Sequence, residues 1–455
     1  MGKTISSWNP YTGEEEFRFE ILGREQLLQK ADEAATAYRS WSAWPLERRT
    51  ALLHDLSVQL KLHATEGAEC MAREMGKVLP EGKAEMLKCA QAAAYVADHA
   101  AQWLRPELIE TPDKSGEVHF LPQGIVFAIM PWNFPFWQVI RQAIAALAGG
   151  NVLLLKHASN VYGCAALLQK IFDKAGFPPG VFSSLFMDSA DAEVIIAHPQ
   201  VCGIAFTGSE PAGRKVAALA GQHLKKVVLE LGGSDPFLIF ESADIKAACD
   251  MALQARFQNA GQSCIAAKRF LVQESVYEEA LSYMRAGLDA YRAGDPMQDG
   301  VKMGPVAKAS FAEDLEKQVK RSLEMGARIS GELQVNGALF QPVLLWDAPE
   351  DAPVWTEETF GPVAVIGSFT DEADALRKAN NTRFGLGAVV YSGDVEQARR
   401  VALALESGQV FVNTIVRSDA AFPFGGTKNS GVGRELAEWG LKEFLNVKPV
   451  VRNKK

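Results

Sequence analysis

Apolar residues recur at three- and four-residue spacing from Gln26 to Trp44 and again from Glu47 to Cys70, with Ala-rich faces in both stretches. That period predicts two amphipathic helices. Beyond Pro106 it changes. Glu117-Val-His-Phe-Leu121 alternates briefly before Pro122-Gln-Gly124, which predicts a β-ribbon or edge strand. From Gly124 onward short apolar runs (Ile125 to Met130, Val152 to Leu155, Gly203 to Phe206) are separated by helical segments such as Ala165 to Lys174. Runs buried on both faces and separated by helices predict a parallel, doubly wound α/β sheet. A second α/β series begins near Leu231, with strands expected at Pro236 to Phe240, Arg269 to Val272 and Val363 to Ile366. Leu445 to Val451 reads as a terminal strand, and neither an internal repeat nor a low-complexity segment interrupts the pattern.

A chain of 455 residues predicts two or three domains. Apolar content of 48% and charged content of 22% describe an ordinary soluble globular protein. The net charge of −8 argues against nucleic acid as a partner, because phosphate binding wants a basic face. The N-terminus has no apolar segment of a secretory signal. The longest apolar stretch, Ala143 to Leu155, is broken by Gly149, Gly150 and Asn151 and falls short of the roughly 20 residues that span a bilayer. Six cysteines (Cys70, Cys89, Cys164, Cys202, Cys249 and Cys264) lie far apart without a CxxC pair. No metal site and no redox pair is expected from that spacing, and a reducing, cytoplasmic location fits it.

Three segments carry candidate chemistry. In Phe257-Gln-Asn-Ala-Gly-Gln-Ser-Cys264, small and polar residues suit a turn that exposes a thiol to a cleft, although most cysteines are simply structural. Glu230 stands 34 residues earlier inside the apolar run Val227-Val-Leu-Glu-Leu231. Buried there, its carboxyl would be raised toward the range of a general base, whereas at a strand end it would only reach solvent. Asn133, in Met130-Pro-Trp-Asn-Phe-Pro135, is held between prolines and aromatics, either as a pre-organised oxyanion donor or as part of a packing corner.

Together these segments resemble the aldehyde dehydrogenase superfamily. Further matches run from Asn9-Pro-Tyr-Thr-Gly13 through Phe206-Thr-Gly-Ser209, Gly294-Asp-Pro296, Met303-Gly-Pro305 and Glu358-Thr-Phe-Gly-Pro-Val363 to the segment from Pro423 to Glu435. The resemblance implies an α/β fold with a Rossmann-like cofactor domain (1–103 and 122–230), an α/β catalytic domain (231–436) and a small β oligomerisation ribbon (104–121 and 437–455). It implies Cys264 as nucleophile, Asn133 with the Cys264 backbone N–H as oxyanion donors, and Glu230 as the base that activates the deacylating water. A family branch that transfers the acyl group to coenzyme A lacks this glutamate, so hydrolysis to a free acid is expected.

The same resemblance implies NAD or NADP as cofactor. Lys156 matches the adenosine-ribose lysine, and Gly208 and Ser209 open a helix where backbone N–H groups meet the pyrophosphate. Glu358 matches the nicotinamide-ribose carboxylate with Phe360 beside it, and Ile129 and Trp132 line the cofactor path. Where many NAD-specific members carry a glutamate three residues beyond this lysine, Ser159 stands here and leaves NADP permissible. Gln142 replaces a lysine proposed in proton relay, and His157 replaces a common proline. No histidine follows His223 to pair with Cys264 as in a cysteine protease.

For the substrate, the resemblance points to the short bacterial succinate-semialdehyde dehydrogenases. Arg141 and Ser418 match residues that hold the substrate carboxylate there, while Gln258 replaces a second arginine and Ala266 a second cysteine. Arg141 either reads that carboxylate or pairs with one of the protein's own. A broad-specificity dehydrogenase for aliphatic or aromatic aldehydes is the alternative if Phe134, Phe136 and Trp137 line the tunnel mouth. A catalytically inactive binding or structural protein of the same fold would have lost Cys264, Glu230 or Asn133, and all three are present. The expected partners are a small aldehyde and a second copy of the chain, as a homodimer or homotetramer, with no nucleic acid and no membrane.

Overall fold

The computed structural model describes residues 3–331 and 333–454. Met1 and Gly2, part of the N-terminus read above, lie outside them. A hairpin, β1 (Thr4–Trp8) and β2 (Glu15–Glu20), leads into four helices. These are α1 (Arg24–Trp41), α2 (Leu46–Leu62), α3 (Ala64–Met75) and α4 (Leu79–Trp103). α1 ends three residues before the expected Trp44, because the residue ahead of Pro45 is disfavoured in the helical region. The segment expected as one helix is two. His63 breaks it with φ −98° and ψ 15°, and its ring Nδ1 lies 2.8 Å from the Gln59 carbonyl of the turn before. No glycine or proline marks that break. α3 stops at Gly76 with φ 79°, where a Cβ would strike the Pro305 carbonyl, so a left-handed cap and a close approach both require glycine.

The expected ribbon is β3 (Glu107–Glu110) with β4 (Lys114–Leu121), and β4 pairs along its whole length with the terminal strand Asn446–Asn453. Next come β5 (Ile125–Met130), α5 (Trp137–Ala148), β6 (Val152–His157), α6 (Tyr162–Lys174), β7 (Phe182–Ser184), α7 (Ala192–Ile196), β8 (Val201–Thr207), α8 (Glu210–Gln222) and β9 (Lys226–Glu230). Their strands form one parallel sheet in the order β9-β8-β5-β6-β7, closed at the β9 edge by the antiparallel pair Gly431–Val432. The order reverses between β5 and β8, so their carboxyl ends diverge there and leave the crevice in which such sheets bind ligands. Asn133 follows β5 and Ser209 follows β8.

A second, seven-stranded sheet is built around β10 (Asp235–Ile239) and β11 (Ala267–Gln273), with Val363–Phe369 beside β11 and Gly387–Tyr391 beside β10. All its neighbours are parallel except the edge strand Arg328–Ser330. α9 (Ile245–Phe257) joins β10 to the turn that carries Cys264.

The cysteine spacing misleads at one place. Cys70 on α3 and Cys164 on α6 are 94 residues apart in sequence, yet their sulfurs lie 3.5 Å apart. Glu74 sits beside them, and its carboxylate accepts the free first-turn N–H groups of α6 from Gly163 and Cys164, both at 2.8 Å. Burial pushes the Cys164 thiol well above its usual range, so this contact joins protonated, packed thiols. Among the described residues no helix is long and apolar enough to cross a membrane.

Candidate active site

Cys264 is placed by a turn that the backbone resists. After α9, Asn259 (φ 55°) and Ala260 (φ 52°) both take left-handed conformations, and Gly261 (φ 71°) follows. For Ala260 that is a costly conformation, of a kind that persists where the surroundings over-determine it. The surroundings here are cationic side chains. The fully buried Arg256 donates to the carbonyls of Gly261 at 2.8 Å and Thr359 at 3.2 Å. Lys268 donates to the carbonyls of Ser263 at 3.0 Å and Cys264 at 2.9 Å, and stands 3.4 Å from Glu358.

Asn133 is held just as firmly. Its carbonyl accepts from Lys77 Nζ at 3.0 Å and Asn259 Nδ2 at 2.8 Å. Lys77 is itself paired with buried Glu85, whose other oxygen accepts the first N–H groups of α5 from Phe136 and Trp137, each at 2.9 Å. His157 Nε2 lies 2.9 Å from the Pro135 carbonyl, while its Nδ1 accepts from the Ala158 N–H, which fixes the Nε2–H tautomer. Burial lowers this imidazole to about 4. His157 is a neutral brace between the end of β6 and the Asn133 loop. The Asn133 amide donates one hydrogen to the Gln262 carbonyl at 3.1 Å, leaving its second free.

Glu230 ends β9 at 1% exposure, and neither carboxylate oxygen has a hydrogen-bond partner. Burial, reinforced by the neighbouring Glu435 carboxylate, raises it well above the ordinary range, and Arg141 and Arg434 only partly oppose this. The alternative in which it reaches solvent does not hold.

Two cavities meet at Cys264. One, of 540 Å³, is bordered by Arg141, Gln258, Ser418, Lys88, Trp137 and Phe424. The other, of 320 Å³, is bordered by Trp132, Asn133, Gly208, Ser209, Glu358 and Phe360. It fits a dinucleotide: Ser209 precedes α8 and its side chain does not cap the helix's first N–H groups, so they remain open to a phosphate. Glu358 accepts the Gly233 N–H at 3.0 Å, and Phe360 meets the Trp132 ring edge-on with centroids 5.8 Å apart. Ile129, Lys156 and Ser159 fall outside that lining, at the end of β5 and at and beyond the end of β6. Phe134 and Trp137 border the tunnel, but Phe136 is fully buried and does not.

Arg141 has a protein partner. Its Nε stands 2.5 Å from Glu435 Oε2, Nη2 reaches Thr207 Oγ1 at 3.4 Å, and the guanidinium lies 5.0 Å from the Phe424 ring centroid. Both members of the pair are buried. Lys88 on α4 is the tunnel cation that the sequence reading missed. A lysine on an amphipathic helix reads as a solvated face, and only the packing of α4 on α5 turns it inward.

Burial pushes the Cys264 thiol up to about 12, with Arg141 and Lys268 opposing and Glu230 and Glu358 adding to the rise. The neutral thiol therefore dominates at neutral pH. Alkylation of Cys264 by iodoacetamide is expected to be slow at pH 7 and to climb about tenfold per pH unit toward pH 10, as the thiolate fraction grows. Peptide mass spectrometry follows it, and a plateau below pH 9 would contradict this ordering.

The full set of motifs, sheets and cavities defines one class. Residues 1–450 match the aldehyde dehydrogenase family, and the chain belongs to it; the fold is that family's, with a Rossmann-like unit. The chain is 40% identical to the succinate-semialdehyde dehydrogenase [NADP(+)] of Deinococcus radiodurans over 98% of this chain and 94% of the relative. It is 38% identical to the succinate semialdehyde dehydrogenase [NAD(P)+] Sad of Escherichia coli, over 98% of each chain. Among solved structures, the succinic semialdehyde dehydrogenase from Streptococcus pyogenes in complex with NADP+ superposes with a TM-score of 0.96 at 32% identity, covering 99% of this chain and all of that one.

Proposed function

We propose that the protein oxidises succinate semialdehyde to succinate with NADP or NAD, through a thioester on Cys264. One observation carries the reading: Cys264 stands at the junction of a tunnel bordered by the buried Arg141 and the half-buried Lys88 and a cleft that fits a dinucleotide. Cys264 Sγ bonds to the aldehyde carbon as its thiol proton passes to water, and the free Asn133 N–H with the Cys264 backbone N–H stabilises the oxyanion. A nicotinamide cofactor held by the α8 N-terminus, Glu358 and Phe360 would supply the hydride acceptor. Glu230 takes a proton from water as the water attacks the thioester, and the acid leaves as Cys264 is released. The family relatives named above support the substrate.

The tunnel's aromatic border of Phe134, Trp137 and Phe424 supports a second reading, broad oxidation of neutral aliphatic or aromatic aldehydes. Initial rates with succinate semialdehyde and with butyraldehyde, each with NADP and NAD, separate the two. A higher kcat/KM for succinate semialdehyde is expected, and a preference for butyraldehyde would reverse the assignment.

Residues 1–103 and 122–230 form the cofactor domain in this reading, and 231–436 the catalytic domain. The ribbon of 104–121 and 437–455 is where two or four copies of the chain join. Its exposed Leu108, Ile109, Val447, Val450 and Val451 support that role, since such an apolar edge favours pairing. Free cysteines throughout support a cytoplasmic location. Ser159→Glu would set a carboxylate where an adenosine 2′-phosphate is expected. The ratio of kcat/KM for NADP over NAD is expected to fall by about tenfold or more, as like charges repel, and steady-state kinetics with both cofactors reads it.

A further inference from the structure

We propose that Lys88, with Ser418, is the cation that receives the substrate carboxylate, and that it determines specificity for a semialdehyde over a neutral aldehyde. The inference rests on the proposed function and names the group that carries its selectivity.

Arg141 is the obvious carboxylate reader, but Glu435 neutralises its charge. A second anion there would meet a pair that is already balanced, with Glu230 close by. Lys88 differs. It is half-buried on the tunnel wall, its Nζ donates to Ser418 Oγ at 2.7 Å, and it lies 4.0 Å over the Trp137 ring. Among the described residues, no carboxylate stands within ion-pair distance of it. A cation taken out of water without a counter-ion is costly, and that cost is offset when an anionic ligand arrives. Because the ammonium occupies a lone pair of Ser418 Oγ, the hydroxyl hydrogen is left to donate to the same ligand.

The charged groups that face Lys88 are Glu85 on its own helix, Arg141 on α5 and Asp419 on the loop beside Ser418; the Cys89 thiol lies near it, and the titratable Cys264 and Tyr95 border the same tunnel. Burial first, then Arg141, lowers Lys88 to about 8, against the pull of Cys89, Glu85 and Asp419. Arg417 and Asp419 also border the tunnel but are exposed, of opposite sign and open to solvent screening. Lys88 therefore loses its charge as pH rises through that value, and a carboxylate ligand should then bind less well.

The test uses the whole enzyme with succinate semialdehyde and butyraldehyde as paired substrates. Lys88→Met is expected to lower the ratio of their kcat/KM values by about tenfold or more, through KM for succinate semialdehyde. Lys88→Arg is expected to keep the ratio within about threefold, because arginine stays charged. In wild type, the KM ratio of succinate semialdehyde over butyraldehyde is expected to rise severalfold between about pH 7.5 and 9.5, and in Lys88→Arg to stay flat. A packing role alone would not make that pH dependence vanish on a Lys-to-Arg change. If wild type prefers succinate semialdehyde but Lys88→Met keeps the ratio within about twofold, the Lys88 role is overturned and the proposed function stands. If wild type shows no preference for succinate semialdehyde, both fall. Should Lys88→Met not fold, the comparison of wild type with Lys88→Arg across pH decides, and equal slopes overturn the role.

Discussion

Glu230→Gln is expected to release one equivalent of reduced cofactor per active site and then turn over about 10²–10⁴-fold more slowly than wild type. The side chain is nearly isosteric, and the carboxylate it replaces makes no hydrogen bond, so little packing or pairing is lost. What disappears is the base. Acylation of Cys264 and the hydride step need no proton acceptor at the thioester-hydrolysis stage, so they survive as a burst. Rapid mixing monitored by cofactor absorbance would show the burst, and intact-mass spectrometry would show a succinyl group on the protein. A variant with no burst would place Glu230 before the hydride step instead. The wild-type enzyme adds a check. Burial and Glu435 raise Glu230, and only its ionised form can accept the proton, so deacylation should still be speeding up at pH values above the ordinary carboxylate range.

Arg141→Ala is expected to cost about 3–5 kcal/mol of stability, because it leaves Glu435 buried without a partner. Glu230 compounds the loss, since two carboxylates would then share a site with less positive charge to hold them. A change in substrate preference in Arg141→Ala would therefore be mixed with unfolding. Chemical denaturation of Arg141→Ala beside the double variant Arg141→Met/Glu435→Leu separates the two effects. The paired apolar substitution should recover more than half of the loss, since removing both members strands no charge. If the single variant is as stable as wild type, Glu435 accepts a proton at little cost and the pair is not a stability element.

The sheet was legible wherever strands were apolar on both faces. Ile125 to Met130 reads as β5 to the residue, and the runs at Val152, Gly203 and Arg269 lie inside β6, β8 and β11. The break at His63 was not legible, because no helix-breaking residue announces it. The candidate site divides the same way. Cys264, Glu230 and Asn133 stand in ordered motifs and can be picked out by resemblance, as can Arg141 and Ser418. Glu435 also lies in a motif, but its meeting with Arg141 depends on two segments almost 300 residues apart. Lys88 has no motif at all. The Cys70–Cys164 contact shows the same limit, since spacing along the chain says nothing about two helices that cross.

The register of the ribbon has a consequence for biosynthesis. β4 meets its partner strand in full register from Leu121 opposite Asn446 to Lys114 opposite Asn453. A growing chain must therefore carry β4 with one edge open until translation has passed residue 453, long after both central sheets have been made. Closing so distant a pairing is slow and leaves the edge free to meet other chains meanwhile. The open edge of β4 is thus a feature of the growing chain alone, and it is covered in the folded one by residues made more than 300 positions later.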